Sequence, residues 1–123
     1  MRKNTIRNFL RIAVVGNRTG WDEKYVKSKL KSFFLEADEI ISGGAEGVDT
    51  FAQNFAKENG FKITIFYPNP KVPSPQRYYA RNQDIVDYSD MLIAFQNNPH
   101  RSGTQSSINR AKKRGIPTVV VTK

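Results

Sequence analysis

The sequence predicts an α/β fold: a single Rossmann-like α/β/α sandwich, three layers built around a mainly parallel five-stranded sheet. Five short apolar runs show little alternation with polar residues, which is typical of strands that are covered on both faces. Amphipathic segments separate most of these runs, as helices do when they connect parallel strands. The chain has 123 residues, 38% of them hydrophobic, which is the size of one domain with a real core.

The first strand is predicted over residues 12–15 and ends at Gly16. A first helix is predicted from Asp22, because apolar residues then recur at helical spacing with lysines between them: Val26, Leu30, Phe33 and Phe34. The second strand is predicted over 39–41, a short apolar run that leads into a glycine-dense turn.

A second helix is predicted from Val48 to Ala56, and Asn59-Gly60 predicts a left-handed cap at its end. The third strand is predicted over 62–66. The next stretch is predicted to be a stiff extended loop, either a lid over the strand ends or a rigid spacer, because it contains four prolines: Pro68, Pro70, Pro73 and Pro75. The third helix is predicted from Gln76 to Asp87.

The fourth strand is predicted over 91–95, the fourth helix over 103–114 and the fifth strand over 118–121. Residues 1–10 are interpreted as a basic N-terminal extension and residues 11–123 as the folded domain. In such a sheet, ligands bind beyond the carboxyl ends of the strands, near the point where the strand order reverses.

The turn from Ser42 to Asp49 is the most informative segment, because it places three glycines between a strand and a helix. Unpaired amides at a helix beginning, together with the helix dipole, favour an anion there, and phosphate is the usual one. The candidate binding residues in this turn are Ser42, Gly43, Gly44, Ala45, Gly47 and Asp49. The alternative is a tight connection without a ligand, in which Asp49 only complements the helix dipole.

Two further strand ends carry residues suited to phosphate. Gly16, Asn17, Arg18 and Thr19 follow the first strand, and Gly103-Thr104 begins the fourth helix. Neither the G-x-G-x-x-G pattern nor the G-x-x-x-x-G-K-[ST] pattern is present, which disfavours ordinary dinucleotide binding and P-loop hydrolysis.

The third helix places polar groups on or beside its inward face. Tyr78, Asn82 and Ile85 share that face and Arg81 lies next to it, so Arg81 and Asn82 are candidate ligand contacts. The spacing equally allows Arg81 to reach a surface acid. Tyr67 or Tyr78 could stack on a base, or belong to the core.

Composition narrows the classes of function. The chain has no cysteine and one histidine, His100, so no metal site is expected. No apolar stretch is long enough to span a membrane, and a cytoplasmic location without a membrane partner is expected. The net charge of +9 is concentrated towards both ends and could attract nucleic acid, or simply keep the surface solvated.

An ordered set of these residues resembles the SLOG superfamily, especially its small stand-alone YspA-like members. The resemblance covers about residues 11–121 and is carried by Gly16-Asn17-Arg18-Thr19, Asp22, Ser42-Gly43-Gly44-Ala45, Gly47, Asp49, Arg81-Asn82, Asp90, Ala94-Phe95 and Gly103-Thr104. It implies a Rossmann-like domain that binds a nucleotide or a nucleotide-derived phosphorylated ligand through its glycine loops, as a sensor or binding module.

The same superfamily supplies two alternatives: the LOG phosphoribohydrolases, which cleave the N-glycosidic bond of nucleoside monophosphates, and DprA, which binds single-stranded DNA. Ser107 stands where LOG enzymes carry a glutamate that serves the reaction, which disfavours the hydrolase unless Asp49 or Glu46 supplies the carboxylate. The DprA likeness is limited to Ser42-Gly43 and Gly47-Val48-Asp49. A homodimer is expected, and a Mg²⁺ ion accompanying the nucleotide is left open.

Overall fold

The computed structural model describes residues 10–34, 38–97 and 103–122. Strands and helices alternate through these residues: β1 (Arg11–Gly16), α1 (Glu23–Lys31), β2 (Glu39–Ser42), α2 (Val48–Asn59), β3 (Lys62–Ile65), α3 (Gln76–Tyr88), β4 (Met91–Phe95), α4 (Gly103–Arg114) and β5 (Thr118–Val121). The predicted order of elements is confirmed, with bounds that differ by few residues.

The largest difference lies at the end of α1. This helix ends at Lys31, and Ser32 caps it, so Phe33 and Phe34 lie beyond the helix instead of on its apolar face. Phe34 is nevertheless buried, and its ring lies 5.7 Å from that of Phe55. Apolar periodicity in a sequence marks residues that are buried in the core. It does not distinguish a residue in the helix from one in the segment that follows the helix.

The sheet is parallel throughout the described residues, in the order β3-β2-β1-β4-β5. The chain moves outward from β1 to β3 and then crosses to β4 on the other side of β1. The strand order therefore reverses beside β1, where Gly16 pairs with Phe95. Since the strands are parallel, their carboxyl ends lie at one edge, and the segments after β1, β2 and β4 meet there.

Each face of the sheet has its own core. Successive side chains of β1 point to opposite faces, so Ile12 and Val14 pack with α1 and α2, whereas Ala13 and Val15 pack with α3 and α4. Both faces are covered, which explains why the strands read as continuous apolar runs.

Several sequence predictions concern residues outside the described ranges. They include the predicted basic extension with Arg2, Lys3 and Arg7, and the single histidine, His100. Among the described residues, no helix combines the length and the apolar character needed to cross a membrane.

Candidate functional site

A cavity of about 510 Å³ opens at the edge of the sheet where β1 and β2 end. Its wall is formed by the segments after these two strands, the beginning and middle of α3, and the first turns of α4. Its volume lies within the roughly 300–1,000 Å³ that small-molecule sites occupy. The cavity also lies where the strand order reverses, the usual ligand position in this class of sheet.

The structure brings most of the candidate binding residues together on this cavity: Gly16, Asn17, Arg18, Gly43, Ala45, Asp49, Arg81, Asn82, Gly103 and Thr104. The beginnings of α2 and α4 therefore face a common space. The other four candidates, Thr19, Ser42, Gly44 and Gly47, do not line it.

Three of these four residues, Thr19, Ser42 and Gly44, make contacts within the loops around the cavity. The Ser42 hydroxyl accepts hydrogen bonds from the amide of Gly44 and from the side chain of Gln53, each at 3.2 Å. The carbonyl of Thr19 accepts one from Asn97 at 3.3 Å. Gly44 lies beside the ring of Tyr67, which is largely exposed and does not line the cavity.

At Gly47 the loop after β2 packs closely against the loop after β1. It has φ 77° and ψ −127°, a conformation that side chains disfavour. A Cβ atom at this position would overlap the backbone carbonyl group of Arg18. Glycine is thus required both for the turn into α2 and for the close approach of the two loops.

Hydrogen bonds within the glycine loop occupy amides that the sequence assigned to phosphate. The amide of Ala45 donates to Oδ2 of Asp49 at 3.2 Å, and the amide of Gly44 donates to Ser42. Satisfied donors contribute less to an incoming anion. The positive potential of the cavity must therefore come largely from its arginines and from the beginning of α4.

Asp49 is the buried carboxyl of this wall, with 5% of its surface exposed. Burial raises the pKa of Asp49 to about 6, although backbone hydrogen bonds from Ala45 and Gly43 and the positive charges of Arg81 and Arg18 act in the opposite direction. Its position in the first turn of α2 also complements the helix dipole.

Arg81 lies across the cavity wall from Asp49 and is half-buried. Its Nη1 donates to the carbonyl of Gly43 at 2.6 Å, and its Nε donates to Oδ1 of Asn82 at 3.0 Å. Burial lowers the pKa of Arg81, Asp49 opposes that effect, and the neighbouring positive charge of Arg18 adds to it. The alternative in which Arg81 reaches a surface acid is wrong.

The charges on the cavity do not balance. Arg18 and Arg81 supply two guanidinium groups, whereas Asp49 is the one carboxylate among the described lining residues. Glu46, the other acid of the loop, is exposed and does not line the cavity. The space therefore has a net positive charge, and protonation of Asp49 below its pKa of about 6 increases it.

The sequence interpretation missed Tyr79, which lines the mouth of the cavity together with Tyr78 and with Pro75, the last proline of the loop predicted to be a lid or a spacer. Tyr79 lies three residues before Asn82, so helical spacing could have placed it on the same side of α3. Ser107, one turn into α4, is buried and lines the wall as well.

Solved structures share this fold, two X-ray structures among them. The X-ray structure of DNA processing protein A (DprA) from Streptococcus pneumoniae has a TM-score of 0.76 and 24% identity, over 91% of this chain and 50% of that one. The X-ray structure of TM1055, a structural genomics target, has a TM-score of 0.68 and 16% identity, over 89% of this chain and 72% of that one. The present chain thus spans half the length of the DprA chain.

No protein-family model and no curated protein sequence matches the chain. At the identities of the two structural neighbours, the likeness establishes the fold. The predicted Rossmann-like fold is confirmed.

Proposed function

We propose that the chain binds a nucleotide or a nucleotide-derived phosphorylated ligand in this cavity, as a sensor or ligand-binding module. The observation that carries the proposal is the pair Arg18 and Arg81 on a cavity whose described lining holds a single carboxyl, that of Asp49. Guanidinium groups bind phosphate through charge-assisted hydrogen bonds. Burial lowers the pKa of Arg81 and repulsion from Arg18 adds to this effect, and an anion between the two arginines would relieve that repulsion.

The rest of the cavity suits the remainder of a nucleotide. Gly103 and Thr104 begin α4 on the cavity, where the helix dipole favours the negative charge of a phosphate. Asn82 and Asp49 offer polar groups for ribose hydroxyls, and the tyrosines at the mouth offer rings for a base.

The cavity residues suit an anion better than Mg²⁺. Magnesium prefers several oxygen ligands, including carboxylates, whereas the carboxyl of Asp49 already accepts backbone hydrogen bonds beside two arginines. An accompanying Mg²⁺ would therefore be held mainly by the phosphates of the ligand.

Thermal melting with AMP, ADP-ribose, NAD and cyclic AMP tests the proposal, with adenosine as the ligand that lacks phosphate. A ligand at 100 times its Kd stabilises the folded state by about 2.7 kcal/mol, so the correct class raises the Tm by several degrees. Absence of a shift with every phosphorylated ligand would overturn the proposal.

Arg18→Gln is the sharpest variant, because the side chain of Arg18 is exposed and its loss should not unfold the protein. Loss of one charged hydrogen bond to phosphate weakens binding about 10- to 100-fold. Arg114→Gln removes the same charge from the opposite end of α4 and is the matched control. Equal effects of the two variants would show that general charge, not this cavity, attracts the ligand.

Hydrolysis of an N-glycosidic bond is a second candidate, favoured by the position of Asp49 on the cavity. With a pKa of about 6, this carboxyl retains some protonated form near neutral pH and can transfer a proton to a departing base. Water would add across the bond, so that AMP yields adenine and ribose 5-phosphate. Adenine release that Asp49→Asn abolishes would support this activity, and no release would exclude it while leaving binding intact.

The other expectations remain proposals. A DprA-like interaction with single-stranded nucleic acid is proposed as the weaker alternative, supported by the net charge of +9. We also propose a homodimer in the cytoplasm, for which sizing with light scattering provides the test.

A further inference from the structure

We propose that Arg110 positions Tyr79 as a stacking platform, and that Tyr79 thereby gives the cavity its preference for ligands with a flat aromatic base. This inference rests on the proposed function and names the part of the ligand that the mouth of the cavity recognises. Tyr79 would touch the ligand, whereas Arg110 does not line the cavity and would act through Tyr79.

The α3 residues that line the cavity are exposed tyrosines at the mouth and buried residues further in. Tyr78 and Tyr79, in the first turn of α3, are 40% and 47% exposed. One turn further, Asn82 and Ile85 are buried and form the inner wall. The tyrosine rings therefore lie on the solvent side of the α3 wall, outside the buried Asn82, where the less polar end of a nucleotide would remain.

The guanidinium group of Arg110 lies over the Tyr79 ring and is itself hydrogen-bonded to both α3 and α4. Cζ of Arg110 lies over the Tyr79 ring, 5.7 Å from its centroid. Nη1 of Arg110 donates to Oε1 of Gln83 on α3 at 2.9 Å, and its Nε donates to Oγ of Ser106 on α4 at 3.1 Å. Gln83 lies one helical turn after Tyr79, so Arg110 bonds the same part of α3 that carries the ring.

This arrangement has a consequence for recognition. An exposed tyrosine normally loses side-chain freedom when a ligand stacks on it, which weakens binding. A ring already restrained by Arg110 loses less. Stacking of a base on an aromatic side chain accounts for roughly 10- to 100-fold in affinity, and it tolerates different bases because each has a π face.

Calorimetric titration with AMP and ribose 5-phosphate tests the inference, because ribose 5-phosphate keeps the sugar and the phosphate but carries a hydroxyl group in place of the base. The natural protein should bind AMP roughly 10- to 100-fold more tightly than ribose 5-phosphate. Tyr79→Ala should bring this ratio close to one, and Tyr79→Phe should preserve it. Tyr25→Ala, which removes a tyrosine of similar exposure from α1, is the matched control and should leave the ratio unchanged.

Arg110→Gln should weaken AMP binding several-fold and leave ribose 5-phosphate unchanged, with Arg110→Lys in between because it keeps the cation. A purely structural role would weaken both ligands equally, and that result would overturn the positioning role. An unchanged ratio in Tyr79→Ala, or equal affinities in the natural protein, would refute the platform while the proposed function stands. If neither ligand binds, the platform is refuted, and the proposed function fails with it when ADP-ribose, NAD and cyclic AMP do not raise the Tm either.

Discussion

Nη1 of Arg81 donates a 2.6 Å hydrogen bond to the carbonyl oxygen of Gly43, which lies thirty-eight positions earlier in the chain. The bond connects α3 on one face of the sheet to the loop that follows β2. Since Nε of the same guanidinium bonds Asn82, a single side chain sets the distance between two walls of the cavity. A candidate ligand contact is thus also a structural tie.

Replacement of Arg81 by lysine should lower the stability of the protein although the positive charge is kept. A lysine ammonium lacks the planar guanidinium group, whose separate N–H groups donate to Asn82 and to Gly43. We expect Arg81→Lys to lower the free energy of unfolding by about 1–2 kcal/mol, measured by urea denaturation. Arg77→Lys is the control, because Arg77 also bonds a backbone carbonyl, that of Val72, but lies outside the cavity. Equal losses in both variants would contradict the tie.

Asp49 should make stability depend on pH in an unusual direction. The ordinary pKa of an aspartate side chain is 3.8, whereas that of Asp49 in the fold is about 6, so the folded state binds the proton more tightly than the unfolded chain does. The resulting destabilisation is fully present above about pH 6 and disappears as the pH falls to about 3.8. It corresponds to about 3 kcal/mol at most.

Asp49→Asn isolates this effect, because asparagine keeps an oxygen that can accept the Ala45 amide without carrying charge. We expect the variant to exceed the natural protein in stability by up to about 3 kcal/mol near pH 8, and the gain to vanish near pH 4. Urea denaturation at both pH values measures it. Asp84→Asn, which removes an exposed carboxylate from α3, is the control. A gain that did not shrink with falling pH would exclude titration of Asp49 as its cause.

Alanine at Gly47 and at Gly60 should separate backbone conformation from crowding. Both glycines have positive φ, 77° and 73°, but a Cβ at Gly47 would overlap Arg18, whereas nothing lies within 4 Å of one at Gly60. We expect losses of about 2–4 kcal/mol for Gly47→Ala and about 1 kcal/mol for Gly60→Ala. Thermal melts of the pair provide the measurement, and equal losses would show that the loops can separate without cost.

Binding to single-stranded DNA should reflect charge alone. We expect affinity for an unstructured oligonucleotide to fall steeply between about 50 mM and 200 mM salt, because displaced counterions dominate such binding. Fluorescence anisotropy follows the titration. Binding that persists at the higher salt and that Tyr79→Ala abolishes would favour the nucleic-acid alternative over a small ligand.

Most of the fold could be predicted from the sequence because its signals are local. Apolar periodicity indicated α1 and α2, and the Asn59-Gly60 pair indicated the end of α2, where Gly60 adopts the left-handed conformation. The end of α1 could not be predicted in the same way, since Phe34 continues the apolar pattern after the helix has ended.

The sequence predicted which strand ends meet at the candidate site. It did not predict the hydrogen bonds within the site. That the Ala45 amide would donate to Asp49 depends on how the loop closes, and a sequence pattern does not encode which acceptor is nearer. Helical spacing relative to Asn82 could have indicated Tyr79, but its contact with Arg110 from another helix could not be predicted. Contacts between distant segments require the tertiary structure.

The cavity draws its wall from four stretches that lie far apart along the chain, the last of them the first turns of α4. During synthesis on the ribosome, the cavity is therefore incomplete until Ser107 has left the exit tunnel. Any small molecule that binds only the completed cavity would stabilise fully synthesised, folded molecules by mass action and leave unfinished chains unaffected.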